Sequence, residues 1–155
     1  MNTDAGQHGT LRRAAAALLG LGLATAAQAQ DDLVAAGESV FRRCAGCHAI
    51  GEGAVNRVGP QLNQVYGRVA GSLEDFEYSD AMKAAGEAGL VWDEGQLSGF
   101  LANPREHVPG TKMAFAGLRK EEDIAAVIAY LREAGGVAEG FEEDEAAEAG
   151  EGEGG

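Results

Sequence analysis

The chain has 155 residues, 45% of them apolar, with 25 acids against 12 bases and a formal net charge of −13. That supports one core of ordinary size plus some additional segment, and the acidic balance argues against nucleic acid as a partner. Its two cysteines could form at most one disulfide, and the ring between them would be very small.

The first predicted element is an export signal. "LRRAAAALLGLGLATAAQAQ" sets Arg12 and Arg13 before an apolar run from Ala14 to Ala27 and ends in the small-x-small pattern Ala27-Gln28-Ala29. This reads as a secretory signal peptide over residues 1–29, with an uncleaved membrane anchor as the alternative. A twin-arginine signal finds no support beyond the arginine pair. Residues 30–138 then form the single domain. Ten of the bases and sixteen of the acids fall between Asp31 and Ala138, a net of −6.

The domain opens with "DDLVAAGESVFRR". Leu33, Gly37, Val40 and Phe41 follow helical spacing, and the two aspartates suit a helix N-terminus. Directly after it comes "CAGCH". Cys44, Cys47 and His48 have three chemical readings: a redox dithiol, part of a zinc site, or two thioether anchors for a haem with an imidazole for its iron. A dithiol of the thioredoxin kind needs a strand leading into it, and a helix precedes it instead. A structural zinc site usually needs four ligands. Outside the signal only Cys44, Cys47, His48 and His107 are available, and Cys47 and His48 are adjacent. Covalent haem meets neither objection, and one motif implies one haem.

A haem electron carrier needs a second axial ligand, and a thioether favours reduced iron. Outside the signal the methionines are Met82 and Met113. Met82 lies in the helical-looking "YSDAMKAAG", where a methionine commonly fills a core. Met113 lies in "NPREHVPGTKMAFAG", where Pro104, Pro109, Gly110 and Gly117 forbid a long helix and make a constrained loop. Met113 is preferred, with Met82 and His107 as alternatives. Two more helices are expected. One carries Trp92, Leu97, Phe100 and Leu101 and stops before Pro104. The other carries Ile124, Val127, Ile128 and Leu131, with acids in its first turn and Gly135-Gly136 as a stop. Gly37 would let this last helix approach the first, with Phe41 and Tyr130 filling the crossing. From Glu139 to Gly155 the chain holds eight acids, five glycines and no base, and reads as a disordered acidic tail with Phe141 as its one aromatic residue.

Taken in order, "FRRCAGCH", "VGPQLNQVYGR", "FEYSDAMK", "VWDEGQLSGFLANPREHVPGTKMAFAGL" and "DIAAVIAYLRE" resemble the class I cytochromes c of the mitochondrial and long bacterial periplasmic kind, from about Asp32 to Glu133. The resemblance implies an all-α fold whose helices pack around one haem c bound covalently by Cys44 and Cys47, with His48 and Met113 as axial ligands. It implies that the Pro60 carbonyl bonds His48, that Leu62 and Phe115 pack on the two haem faces, and that Tyr78, Trp92 and Arg68 meet a buried propionate with Thr111 bracing the region. Arg43, Arg57, Arg105, Lys112, Arg119 and Lys120 would ring the haem edge as a docking patch, leaving the acids mostly behind it. Two positions depart from the family: Phe100 stands where a tyrosine commonly bonds the methionine sulfur, and Met82 where an asparagine commonly helps hold a water. The function implied is that of a soluble, monomeric periplasmic carrier, not an enzyme. It would pass single electrons between a bc1-type complex and a terminal oxidase or another reductase. The rival is a haem peroxidase or gas-binding protein with a displaceable sixth ligand.

Overall fold

The computed structural model describes residues 19–142, with side chains from Ala26 onward. The signal segment before Leu19 and the tail after Glu142 lie outside the described residues. The chain divides into two compact units at Asp32–Leu33. Five helices are described: α1 (Leu19–Phe41), α2 (Asp80–Glu87), α3 (Glu94–Ala102), α4 (Pro104–His107) and α5 (Glu121–Gly135). Between them run loops with two isolated bridges, Tyr66 with Val137 and Val69 with Val91.

In the chain with its leader, α1 continues through Ala29 and Gln30, so Asp31 and Asp32 lie inside the helix and its first turn holds no acid. Gly37, Val40 and Phe41 are buried as their spacing predicts, but Leu33 stays 36% exposed. It borders an open groove of about 410 Å³ that α5 closes with Glu122, Asp123 and Ala126. Gly37 is where α1 meets α5: a Cβ there would run into the Ala126 carbonyl. The Phe41 and Tyr130 rings meet at 5.2 Å beside it, as expected.

The later helices start where their caps start them. Ser79 accepts a hydrogen bond from the Met82 amide at 3.1 Å to open α2, and Asp93 accepts one from Gln96 at 2.7 Å to open α3. Trp92 therefore precedes α3 and is not on it, contrary to the helical spacing. Its amide donates to the Arg68 carbonyl and its carbonyl accepts from Gly67, both at 2.9 Å, which makes it part of the Val69–Val91 pairing. Two paired residues leave no periodicity in a sequence. Pro104 stops α3 and starts the single turn of α4, its ring suited to a first helical position.

α5 has Glu121, Glu122 and Asp123 in its first turn and Arg132 in its last, matching the helix dipole at both ends. Its inner face buries Ile124, Val127, Ile128 and Leu131. Each such side chain contributes about 1.5–3 kcal/mol on leaving water, so this face is a principal source of the core. These residues join Phe41, Tyr66, Leu97, Phe100, Leu101 and Leu118 in one cluster. Beyond α5 the chain pairs once more, Ala138 donating to the Tyr66 carbonyl at 2.8 Å. Phe141, whose acidic neighbours suggest a free tail, packs edge-on against Tyr66 at 5.6 Å.

Candidate haem site

Phe41 ends α1, and the chain continues in overlapping turns. Cys44 and Ala45 donate to the Phe41 carbonyl, and Cys47 and His48 both donate to that of Cys44, at 3.0 and 2.9 Å. These turns bring Cys44, Cys47 and His48 onto one short coil of backbone. The two thiols are unbridged, Cys47 exposed and Cys44 half-buried. Burial pushes the Cys44 thiol up, with Arg43 pulling it down and Cys47 adding a smaller push up.

The next loop folds back on this coil. Gly59 donates to the Cys47 carbonyl, Leu62 to that of Ala49, and the Arg57 guanidinium to that of Ala45 at 3.0 Å. The side chain of Asn63 takes both ends of the turn, accepting from the Gly51 amide at 2.7 Å and donating to the Gly51 carbonyl at 2.9 Å. His48 Nδ1 lies 2.7 Å from the Pro60 carbonyl, and the only donor that pair can use is an Nδ1–H. The tautomer is thereby set, leaving Nε2 with its lone pair for a metal. Burial lowers the His48 pKa while the Pro60 bond opposes it, so the neutral ligand form is favoured. A Cβ on Gly59 would overlap the ring, so glycine admits the imidazole there. Sequence reasoning found Pro60 but neither Gly59 nor Asn63, although both lie in "VGPQLNQ".

Leu62, Tyr78, Met113 and Phe115 are half-buried, packed against the core without entering it. Arg68 reaches across the loop and donates to the Asn63 carbonyl at 2.9 Å and the Gln61 carbonyl at 3.3 Å. Tyr78 is near enough to feel its charge. Burial pushes the phenol up, Arg68 and a backbone bond from Leu73 pull it down, and Asp75 pushes it up again. Burial lowers the Arg68 pKa in turn, with Tyr78 opposing. Trp92 is buried and its ring lies 4.9 Å from that of Phe100. Thr111 Oγ1 accepts from the Met113 amide at 3.3 Å.

The two alternatives to Met113 have other work. Met82 is buried to 8% exposure in the core, and His107 is hydrogen-bonded to Gln96 at 2.7 Å. Among the described residues no group of three or more His, Cys, Asp or Glu is placed to hold a metal ion. Two free thiols on one coil and an imidazole with only Nε2 to offer fit a covalently attached haem. The cytochrome c family model matches residues 34–135.

The chain belongs to the cytochrome c family. It is 64% identical over 101 residues to cytochrome c2 of Afifella marina, covering 65% of this chain and 82% of that protein. It is 56% identical over 98 residues to cytochrome c2 of Agrobacterium tumefaciens, covering 63% and 88%. Among solved structures, cytochrome c2 from Rhodospirillum Centenum superposes with a TM-score of 0.62 at 37% identity, over 64% of this chain and 96% of that one. Cytochrome cH from Methylobacterium extorquens does so at 0.58 and 40%, over 64% and 97%. The all-helical fold is thus that of a class I cytochrome c. With one CxxCH motif this cytochrome c binds one haem c covalently and is an electron carrier, not an enzyme.

The six bases expected around the haem edge are all exposed, but acids are not kept behind them. Arg43 lies 3.7 Å from Asp123, Lys112 3.9 Å from Glu77 and Lys120 3.9 Å from Glu122. The helix dipole favours acids in the first turn of α5, which puts Glu122 and Asp123 among these bases.

Proposed function

We propose that Met113 supplies the sixth ligand opposite His48, and that this cytochrome shuttles single electrons in a bacterial periplasm between a bc1-type complex and a terminal oxidase or another reductase. The observation that carries the first part is the division of labour among the candidate ligands. Met82 fills the core, His107 is bonded to Gln96, and Met113 is half-buried at the end of a loop tied to its surroundings. Leu118 donates to the Leu101 carbonyl at 2.8 Å, and Lys112 Nζ lies 3.4 Å from the Tyr78 carbonyl, so the loop is held on both sides of Met113.

Bound haem supplies a reversible one-electron couple. His48, fixed by Pro60, and Met113 would hold the group, and the thioether would favour its reduced form. Leu62 and Phe115 would exclude water from it. Arg68, Tyr78 and Trp92 would meet its propionate, a guanidinium and two donors offsetting the cost of a half-buried carboxylate. Thr111 steadies the loop through the Met113 amide. With His48 and Met113 both holding the group, a substrate would find no open site, and electrons would pass near the exposed Cys47. Arg43, Arg57, Arg105, Lys112, Arg119 and Lys120 would steer an acidic partner to that edge.

Export rests on the leader sequence. Cleavage after Ala29 leaves Gln30, Asp31 and Asp32 at the start of α1, which restores acids to its first turn. No helix among the described residues is long and apolar enough to cross a membrane. The protein released would be a soluble monomer of residues 30–155. Voltammetry tests the carrier reading: one reversible one-electron wave is expected, with no catalytic current on adding hydrogen peroxide. A peroxide-driven current would favour an enzyme with a displaceable ligand.

A further inference from the structure

One polar pair of the methionine loop has no part in the chemistry above. His107 ends α4, and its Nε2 lies 2.7 Å from Oε1 of Gln96, in the first turn of α3. Gly99 lies one turn further along α3, where a Cβ would come 2.6 Å from Nδ1 and 2.7 Å from Cε1 of the ring. Phe100 meets the imidazole edge-on, with centroids 6.3 Å apart and planes at 71°. Positions 96, 99 and 100 share one face of a helix, so together they form a seat for the ring. Gln96 is itself held, its amide donating to Asp93 at 2.7 Å.

We propose that Gln96 and His107 form a positioning clasp for the Met113 loop. The pair ties the leading end of the loop to α3, and so sets how often the loop opens and exposes the sixth position. The far end is held by Leu118 on Leu101, and Lys112 adds two exposed contacts, to the Tyr78 carbonyl and to Glu77, neither of them on a helix. The clasp is therefore the one side-chain bond to another helix at the loop's leading end among those described. The inference rests on Met113 as the sixth ligand. Neither residue touches the iron; both act through the backbone that carries Met113.

Losing one half-buried hydrogen bond shifts an opening equilibrium by about two- to tenfold. Two readouts on the ferric holoprotein test this: the rate of cyanide binding, which requires the loop to open, and amide exchange over residues 104–113 with α5 as internal control. Gln96→Ala should speed both by about two- to tenfold while exchange in α5 stays at the parental rate. Gln96→Glu, whose carboxylate still accepts from Nε2–H, should return both to within about twofold of the parent. His107→Phe keeps a ring in the seat without the donor and should match Gln96→Ala. The double variant should then add nothing, since both changes remove one bond. The proposal is overturned if Gln96→Ala leaves both rates parental, or if α5 exchange accelerates as much as the loop, which marks general destabilisation. A parent lacking the near-infrared methionine-to-iron band would sink Met113 as ligand instead, and the exchange comparison would still decide the clasp.

Discussion

Gly59 is glycine because the His48 ring occupies the space where its Cβ would stand. Gly59→Ala should therefore destabilise the holoprotein by about 1–3 kcal/mol, the usual cost of overpacking, read as a fall in thermal midpoint. Tyr78 carries a pH dependence. Its phenol, raised chiefly by burial, keeps its proton to higher pH in the folded state than in the unfolded one, where it titrates near 10. The folded state then binds more protons. Stability is full below the unfolded value and is lost as pH rises through it toward the raised folded value. Tyr78→Phe should flatten the alkaline fall in thermal midpoint, and an unchanged slope would show that another group causes it. At this scale the sequence was legible wherever chemistry constrains spacing, as in Cys44, Cys47 and His48. It was silent on the bond between Gln96 and His107, because a hydrogen bond between two helices leaves no mark in either helix's periodicity.

Helix faces were legible for a related reason: a 3.6-residue repeat of apolar side chains is the pattern a buried stripe must have, as Ile124, Val127, Ile128 and Leu131 show. The exceptions are local. Leu33 keeps the spacing yet borders an open groove, and Trp92 joins a two-residue bridge too short to impose alternation. The crossing of α1 and α5 gives a prediction whose sign distinguishes packing from propensity. Inside a helix Gly→Ala gains about 1 kcal/mol from propensity, but at Gly37 the new Cβ would strike the Ala126 carbonyl. Gly37→Ala should lower the thermal midpoint, and a rise would mean that α1 can move away from α5 at little cost. The C-terminal segment gives another. Phe141→Ala removes an edge-on ring pair worth about 0.5–1.5 kcal/mol beyond its buried area. Truncation after Glu142 should leave denaturant stability unchanged, whereas truncation after Ala138 should lower it as Phe141→Ala does.

For the whole molecule, the proposed steering by these bases would depend on which of them are locally neutralised. Arg43, Lys112 and Lys120 each face a carboxylate within 4 Å, whereas Arg105 and Arg119 have no ion pair among the described residues. Charge reversal at Arg105 or Arg119 should thus slow association with an acidic redox partner more than reversal at Arg43 or Lys120. The difference should shrink as salt rises from 0.01 M to 0.15 M and the screening length falls from about 30 to 8 Å. Equal effects at all four positions in stopped-flow kinetics would mean that the local acids do not matter. The central claim is that the covalently bound haem is closed by His48 on one side and Met113 on the other, which makes this cytochrome a carrier. The most direct measurement is the near-infrared spectrum of the ferric protein compared with Met113→Ala and Met82→Leu. The parent and Met82→Leu should both show the methionine-to-iron band, and Met113→Ala should lose it. A parent without the band, or a band that survives in Met113→Ala, would contradict the account.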